Sequence, residues 1–243
     1  MKAARTGRAR APAAARTGGA RATRSRPAGA PGAPAGAGSE PWRIVSAEFE
    51  ASAGELAGLP PASAPEIAFA GRSNVGKSSL MNQLMGRRGL VRTSGTPGCT
   101  RTVNFFSARA RDGASYRLVD LPGYGHADRS KGERASWAKL IERYLSERAG
   151  LALVVLIVDA RRGLEPDDAA LFDFLGVRRE PCGLVLVATK VDKLPKSQKL
   201  AALAAVRGPH GERVLGVSGE TGEGLGELWR LLRAKVPPAP AAS

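Results

Sequence analysis

Acidic side chains are scarce in this chain. Its 243 residues carry 22 Asp and Glu against 37 Lys and Arg, a formal net charge of +15. A protein with that balance is a poor partner for other cations and a good one for polyanions such as nucleic acid. Cysteine is limited to Cys99 and Cys182, which excludes a disulfide framework and suggests a reducing, cytoplasmic setting. Only two histidines are present, His126 and His210, each isolated in a Gly- or Pro-containing stretch. Aromatics make up 5% of the chain. The longest apolar run, Leu151–Val158, is far too short for a membrane-spanning helix.

The first 41 residues lack something more basic. No Leu, Ile, Val or aromatic side chain precedes Trp42. Such a segment cannot bury enough apolar surface to offset the entropy of ordering it. Residues 1–41 are therefore expected to be a disordered basic arm, in which Lys2, Arg5, Arg8, Arg10, Arg16, Arg21, Arg24 and Arg26 face one acid, Glu40. A transit peptide is the competing reading, but that needs an amphipathic helix, and the arm has no bulky apolar face. Residues 42–238 are expected to form the folded domain, with 239–243 as a short tail.

From Trp42 onward, apolar runs alternate with segments of helical period. "EIAFA" at Glu66–Ala70 reads as a buried strand, and "SLMNQLM" as a helix through Leu80, Leu84 and Met85. "TVNFFSARA" and "SYRLVD" flank Asp112-Gly113, a hairpin signal, and are expected to be antiparallel. "ERASWAKLIERYL" places Trp137, Leu140, Ile141, Tyr144 and Leu145 on one helical side. "LALVVLIVD" suits a central strand covered on both faces. The helix "DDAALFDFL", strand "GLVLVAT", helix "SQKLAALAAV", short strand "VLGVS" and helix "LGELWRLLRAKV" follow, and Pro237 and Pro238 stop the last. The class is α/β: a doubly wound, mostly parallel sheet of six strands with one antiparallel member and helices on both faces.

Gly71–Ser78, "GRSNVGKS", fits G-x-x-x-x-G-K-[ST] at every fixed position, with a strand before it and a helix after it. Backbone N–H groups of a glycine-punctuated turn hold phosphate oxygens, and a Cβ would block their approach. The expected contacts run through Gly71, Arg72, Ser73, Asn74, Val75, Gly76, Lys77, Ser78 and Ser79. Lys77 is expected on the β- and γ-phosphates and the Ser78 hydroxyl on Mg²⁺. An ATPase or nucleotide kinase would satisfy this much.

"TKVD", Thr189–Asp192, separates the bases. It follows a strong strand, at the sheet edge where ligands bind in such folds. A carboxylate at Asp192 can accept from both N1–H and N2–H₂ of guanine, whereas adenine offers neither donor and would leave a charge desolvated, at a cost of about 1–3 kcal/mol or more. The stem of Lys190 is expected along the base. In "VSGET", Ser218 is expected to brace the loop and the Gly219 N–H to reach guanine O6.

"VDLPG" contains D-x-x-G. Asp120 is expected to hold Mg²⁺ through water, and the Gly123 N–H to bond the γ-phosphate, so that loss of the phosphate releases the loop. Upstream, "RTSGTPGCTRT" reads as a partner switch. Thr100 is the candidate for the second Mg²⁺ hydroxyl, with Thr93, Thr96 and Thr102 as rivals in the same segment.

As a set, "PEIAFAGRSNVGKSSLMNQL", "TSGTPGCTRTVNFF", "LVDLPGYG", "VDARRG", "ATKVDK" and "SGETGEG" resemble the EngB/YihA family of bacterial GTP-binding proteins, within the TrmE-Era-EngA-EngB-septin-like GTPases. The resemblance runs from about Ile44 to Val236 and leaves the arm outside. It implies a P-loop G domain, a monomeric GTPase using Mg²⁺, a part in assembly of the large ribosomal subunit, and a role in normal cell division and septation. A GTP-dependent scaffold at the division site is the alternative. Ras-like enzymes place Gln after the D-x-x-G glycine to orient water, and Tyr124 stands there instead, which implies slow turnover by another route. In related GTPases an Asn at the place of Asn74 helps bind K⁺ beside the phosphates. The expected catalytic set is thus Lys77, Asn74, Thr100 and Gly123. His126 is a further candidate for placing water, and Arg101 for touching phosphate or RNA.

Overall fold

A computed structural model of the chain describes residues 40–92, 102–125, 131–177, 182–207 and 213–236, without the side chains of Leu56 and residues 131–137. Residues 1–39 of the expected arm, the tail, Thr93, Thr96, Cys99, Thr100, Arg101, His126, His210, Pro237, Pro238 and the Trp137 side chain lie outside what is described.

Among the described residues, seven strands form one sheet: β1 (Ile44–Ala53), β2 (Glu66–Gly71), β3 (Val103–Ala110), β4 (Ser115–Asp120), β5 (Leu151–Asp159), β6 (Gly183–Thr189) and β7 (Val214–Gly216). Their order is β1-β3-β4-β2-β5-β6-β7. β2 pairs in parallel with β4 and β5, β5 with β6, and β6 with β7. β3 is antiparallel to both β1 and β4, so it alone runs against the rest. The β3–β4 hairpin turns at Gly113, whose φ of 86° is left-handed, the conformation that Asp-Gly signals.

Five α-helices of the described residues cover the two faces: α1 (Lys77–Leu84), α2 (Lys131–Glu147), α3 (Pro166–Val177), α4 (Lys196–Arg207) and α5 (Leu225–Lys235). On one face Leu80, Met81 and Leu84 of α1 and Leu228, Trp229 and Leu232 of α5 pack over Ile67, Phe69, Leu118, Val155 and Val187. On the other, Leu140, Ile141, Tyr144 and Leu145 of α2, Phe172 and Leu175 of α3 and Val206 of α4 cover Ala68, Val154, Leu156 and Leu186. Consecutive residues of β2 and β5 thus serve opposite cores, which is why those strands read as unbroken apolar runs.

The strand count departs from the six expected. The additional member is β1, at the sheet edge beside β3. Its pairing shifts between Ile44 and Ser46 and between Phe49 and Ala51. Apolar and polar residues alternate from Ala47 to Ala53, but three of the four apolar ones are alanines, so the strand signal is faint.

Opposite the phosphate-loop end, Glu66 is fully buried and accepts hydrogen bonds from Arg117 Nη1 (3.0 Å), Arg148 Nε (2.9 Å) and the Tyr144 hydroxyl (2.9 Å). Arg117 also reaches Glu50 Oε2 (2.8 Å) and the Pro61 carbonyl (2.6 Å), while Arg148 reaches that of Pro60 (2.7 Å). The network ties β1, β2, β4 and α2 to the loop before β2.

Candidate functional site

β2 is buried along its whole length and delivers Gly71 to the carboxyl edge of the sheet. A Cβ on Gly71 would lie 2.6 Å from the Ile157 carbonyl oxygen of β5, so the strand leaves no room for a side chain there. The chain then turns through Asn74 (φ 63°) and Gly76 (φ 102°), both left-handed, and enters α1 at Lys77. Glycine adopts that conformation without strain, and Asn is among the side chains that tolerate it. The first turn of α1, with Ser78 and Ser79, directs its unpaired N–H groups at the loop.

Lys77 and Asp120 are both buried and form an ion pair. Asp120 ends β4, where the parallel register sets it beside Phe69 of β2. Beyond it, the D-x-x-G segment lies on the phosphate loop. The Ser73 N–H donates to the Tyr124 carbonyl at 3.1 Å, and Arg72 and Tyr124 form a parallel bridge. A Cβ on Gly123 would fall 2.6 Å from Ser73 Oγ, so glycine is what lets the two segments meet.

The side chain of Tyr124 points inward. Its hydroxyl donates to the buried Asp168 Oδ1 at 2.7 Å, and Asp168 Oδ2 accepts from the Glu165 N–H at 3.1 Å, closing the start of α3. Burial and the Asp168 charge push the Tyr124 phenol well above its usual range, so it is a neutral donor. Burial likewise raises the Asp168 carboxyl. Arg72 forms an ion pair with Glu165, so what Arg72 offers the cradle is its main chain.

At the other end, Thr189 closes β6, and its hydroxyl reaches the carbonyls of Val75 and, at 2.9 Å, Val158. Lys190 is left-handed (φ 61°); its ammonium donates to the Asn74 carbonyl and lies 3.1 Å from Asp159 Oδ2. These two residues clamp the "TKVD" turn to the phosphate loop. Asp159 also accepts from the Arg161 backbone (3.0 Å) and side chain (2.7 Å). Burial alone would raise its carboxyl, but these hydrogen bonds and Lys190 outweigh it and hold the pKa at about 2.

Asp192 sits in a short 3-10 turn, Val191–Lys193. Burial acts to raise its carboxyl; the hydrogen bonds from Ser218 and Lys193 prevail and lower it. Ser218 is fully buried, and its hydroxyl oxygen accepts from the N–H groups of Glu220 (3.1 Å) and Thr221 (3.0 Å). With both acceptances made, its proton is left for Asp192. Gly219 lies on the first turn of α1, where a Cβ would be 2.9 Å from the Leu80 nitrogen.

Sequence reading thus named residues that converge on one edge: Gly71–Ser79, Asp120, Gly123, Thr189, Lys190, Asp192, Ser218 and Gly219. Of the four switch threonines only Thr102 is described; its Oγ1 is 2.7 Å from Ser52 Oγ and 3.1 Å from Asn104 Oδ1, which engages it with β1 and β3. Asp159, Glu165 and Asp168 were missed as parts of the site. Asp159 had a signal, the acid closing a buried strand in "VDARRG"; Asp168 read only as part of a helix start, and Glu165 carried no signal.

Residues 66–190 match a family model described as a 50S ribosome-binding GTPase. Among curated relatives, the probable GTP-binding protein EngB of Prosthecochloris aestuarii is 46% identical over 165 residues, covering 68% of this chain and 83% of that protein. That of Desulforamulus reducens is 42% identical over 194 residues, covering 78% and 92%. Among solved structures, Aquifex aeolicus Era bound to GDP·AlF₄⁻ superposes with a TM-score of 0.61 at 24% identity, covering 72% of this chain and 57% of that one. A probable GTP-binding protein EngB superposes with a TM-score of 0.52 at 24% identity, covering 70% and 97%. The two structures share the fold, and the sequence relatives give the family. The chain belongs to the EngB family of GTP-binding proteins and is a GTPase.

Proposed function

We propose that this GTPase is a slow molecular switch that binds the large ribosomal subunit in one nucleotide state and leaves it in the other. The observation that carries the nucleotide half is the placement of Asp192: an ionised carboxylate braced by a buried serine, on a turn clamped to the phosphate loop through Lys190 and Thr189. A guanine edge supplies the two donors that such a carboxylate accepts. The ribosomal half is supported by the matching family's description and by the excess of basic residues.

In this reading the loop Gly71–Ser79 wraps the phosphates with main-chain N–H groups, and Lys77 exchanges its Asp120 partner for the β- and γ-phosphate oxygens. The donor set of Ser78, Thr100 and Asp120, hard hydroxyl and carboxylate oxygens, fits Mg²⁺. When bound, that ion would neutralise charge building on the phosphates. The Gly123 N–H senses the γ-phosphate. Tyr124, spent on Asp168, anchors the second switch to α3 and does not place water. Asn74 presents an exposed side chain beside the phosphates, suited to help hold K⁺ there.

Co-sedimentation with isolated large subunits tests the switch. Binding is expected with a non-hydrolysable GTP analogue, to weaken with GDP, and to fall steeply with salt. Equal retention in both nucleotides, or none in either, would remove the ribosomal reading.

A further inference from the structure

From Ile67 to Arg111 the chain runs 45 residues without an Asp or Glu, while carrying eight Lys and Arg. The fold gathers part of this stretch on one surface. After α1, the Asn82 side chain donates to the Val91 carbonyl (2.8 Å) and accepts from its N–H (2.9 Å), closing the loop between them. Leu90 and Val91 pack inward, and Arg87, Arg88 and Arg92 remain exposed. Arg87 Nη2 lies 3.3 Å from the Val45 carbonyl, which sets this loop against β1.

β1 carries an exposed aromatic. Of the three large apolar side chains exposed among the described residues, two are on this strand: Val45 (46%) and Phe49 (53%). Phe49 pairs with Phe106 of β3, their rings 5.7 Å apart and inclined at 71°. That edge packing fixes the ring and leaves about half of it to solvent. Glu48 and Glu50, the neighbours of Phe49, alternate to the other face of the strand, where Glu50 is held by Arg117. A rigid, half-exposed aromatic on the strand that Arg87 of an acid-free loop meets at Val45 is the chemistry that stacks an unpaired base and holds its phosphates.

We propose that β1 and the loop after α1 form an RNA-binding face, with Phe49 stacking an unpaired base and Arg87, Arg88 and Arg92 contacting the adjoining phosphates. This rests on the ribosomal reading above and names the part of the surface that meets RNA. A docking protein would have to answer the arginines with carboxylates and leave the half-exposed ring to an apolar side chain, whereas an unpaired RNA segment supplies phosphates and a base together.

The test uses the full chain and two probes, a 4-thiouridine-containing oligo(U) 12-mer and isolated large subunits. Phe49→Ala is expected to weaken both about tenfold, and Phe49→Tyr to restore them. Replacing Arg87, Arg88 and Arg92 together by Gln is expected to flatten the salt dependence of oligonucleotide binding by about 2 log units per log unit of salt, roughly 0.7 for each phosphate no longer neutralised. Photo-crosslinks are expected in the β1 peptide, and unchanged GDP affinity certifies the fold of each variant. Wild-type-like RNA binding by Phe49→Ala, or crosslinks confined to residues 1–39, would overturn the proposal. So would loss of subunit binding with oligonucleotide binding intact, which would make the face a protein-docking surface. A wild-type chain that binds no subunits in any nucleotide state removes the ribosomal reading itself, a result distinct from these.

Discussion

At the residue scale, the site works by assigning each charge a partner before any ligand arrives. Lys77 holds Asp120, Lys190 holds Asp159, and Ser218 with Lys193 holds Asp192. Asp159 shows what such a partner is worth. Its folded pKa of about 2 lies below the unfolded value near 4, so its contribution is complete above about pH 4 and disappears as pH falls toward 2. Asp159→Asn is therefore expected to cost about 2 kcal/mol at neutral pH and to reduce the acid sensitivity of stability between about pH 4 and 2. Chemical denaturation at pH 7 and pH 3 measures both; equal losses at the two values would show that the ion pairs do not matter. Asn74 yields a second expectation. If its exposed side chain helps hold K⁺, GTP turnover rises in KCl over NaCl in the wild type and not in Asn74→Ala; equal wild-type rates in the two salts refute it.

At the scale of elements, the helices and parallel strands announce themselves in the sequence because each serves a core through a clear period. The central strands β2 and β5 are continuous apolar runs, and α1, α2 and α5 carry apolar residues three and four apart. β1 does not announce itself. Its alternation from Ala47 to Ala53 rests mostly on alanines, and an edge position lets Glu48 and Phe49 face solvent. The tie between Tyr124 and Asp168 was equally illegible, since it joins residues 44 apart that neither periodicity nor motif relates. The same holds for the cluster around Glu66, a carboxylate that sequence shows only as the first residue of a strand. Its charge is fully buried and answered by Arg117, Arg148 and Tyr144, whose hydrogen bonds keep the carboxyl low against the opposing effect of burial. Breaking such a pair leaves uncompensated charge inside the protein. Glu66→Gln is expected to lose about 3 kcal/mol and Tyr144→Phe about 1 kcal/mol in urea unfolding. Losses below about 0.5 kcal/mol for Glu66→Gln would mean that the cluster does not bind these elements together.

For the whole molecule, the sheet separates two tasks. The carboxyl edge gathers the phosphate loop, the Asp120 segment and the Asp192 turn, while the opposite edge is closed by the Glu66 network. Most of the candidate site was legible because its motifs are local: a glycine pattern, a D-x-x-G and a T-K-x-D each state their chemistry in a few residues. What holds those pieces in place was not, because Asp159, Glu165 and Asp168 act through contacts that only the folded chain creates. The central claim is that Asp192 selects guanine. Equilibrium binding of GTP, ATP and xanthosine triphosphate to the wild type and to Asp192→Asn tests it most directly. The wild type is expected to prefer GTP over ATP at least about a hundredfold, since two charge-assisted hydrogen bonds are at stake. Asp192→Asn replaces an acceptor by an amide with a donor and is expected to lose GTP while gaining the xanthine nucleotide, whose C2 carries an oxygen. Equal wild-type affinity for ATP and GTP, or an Asp192→Asn chain that still prefers GTP, would contradict the account.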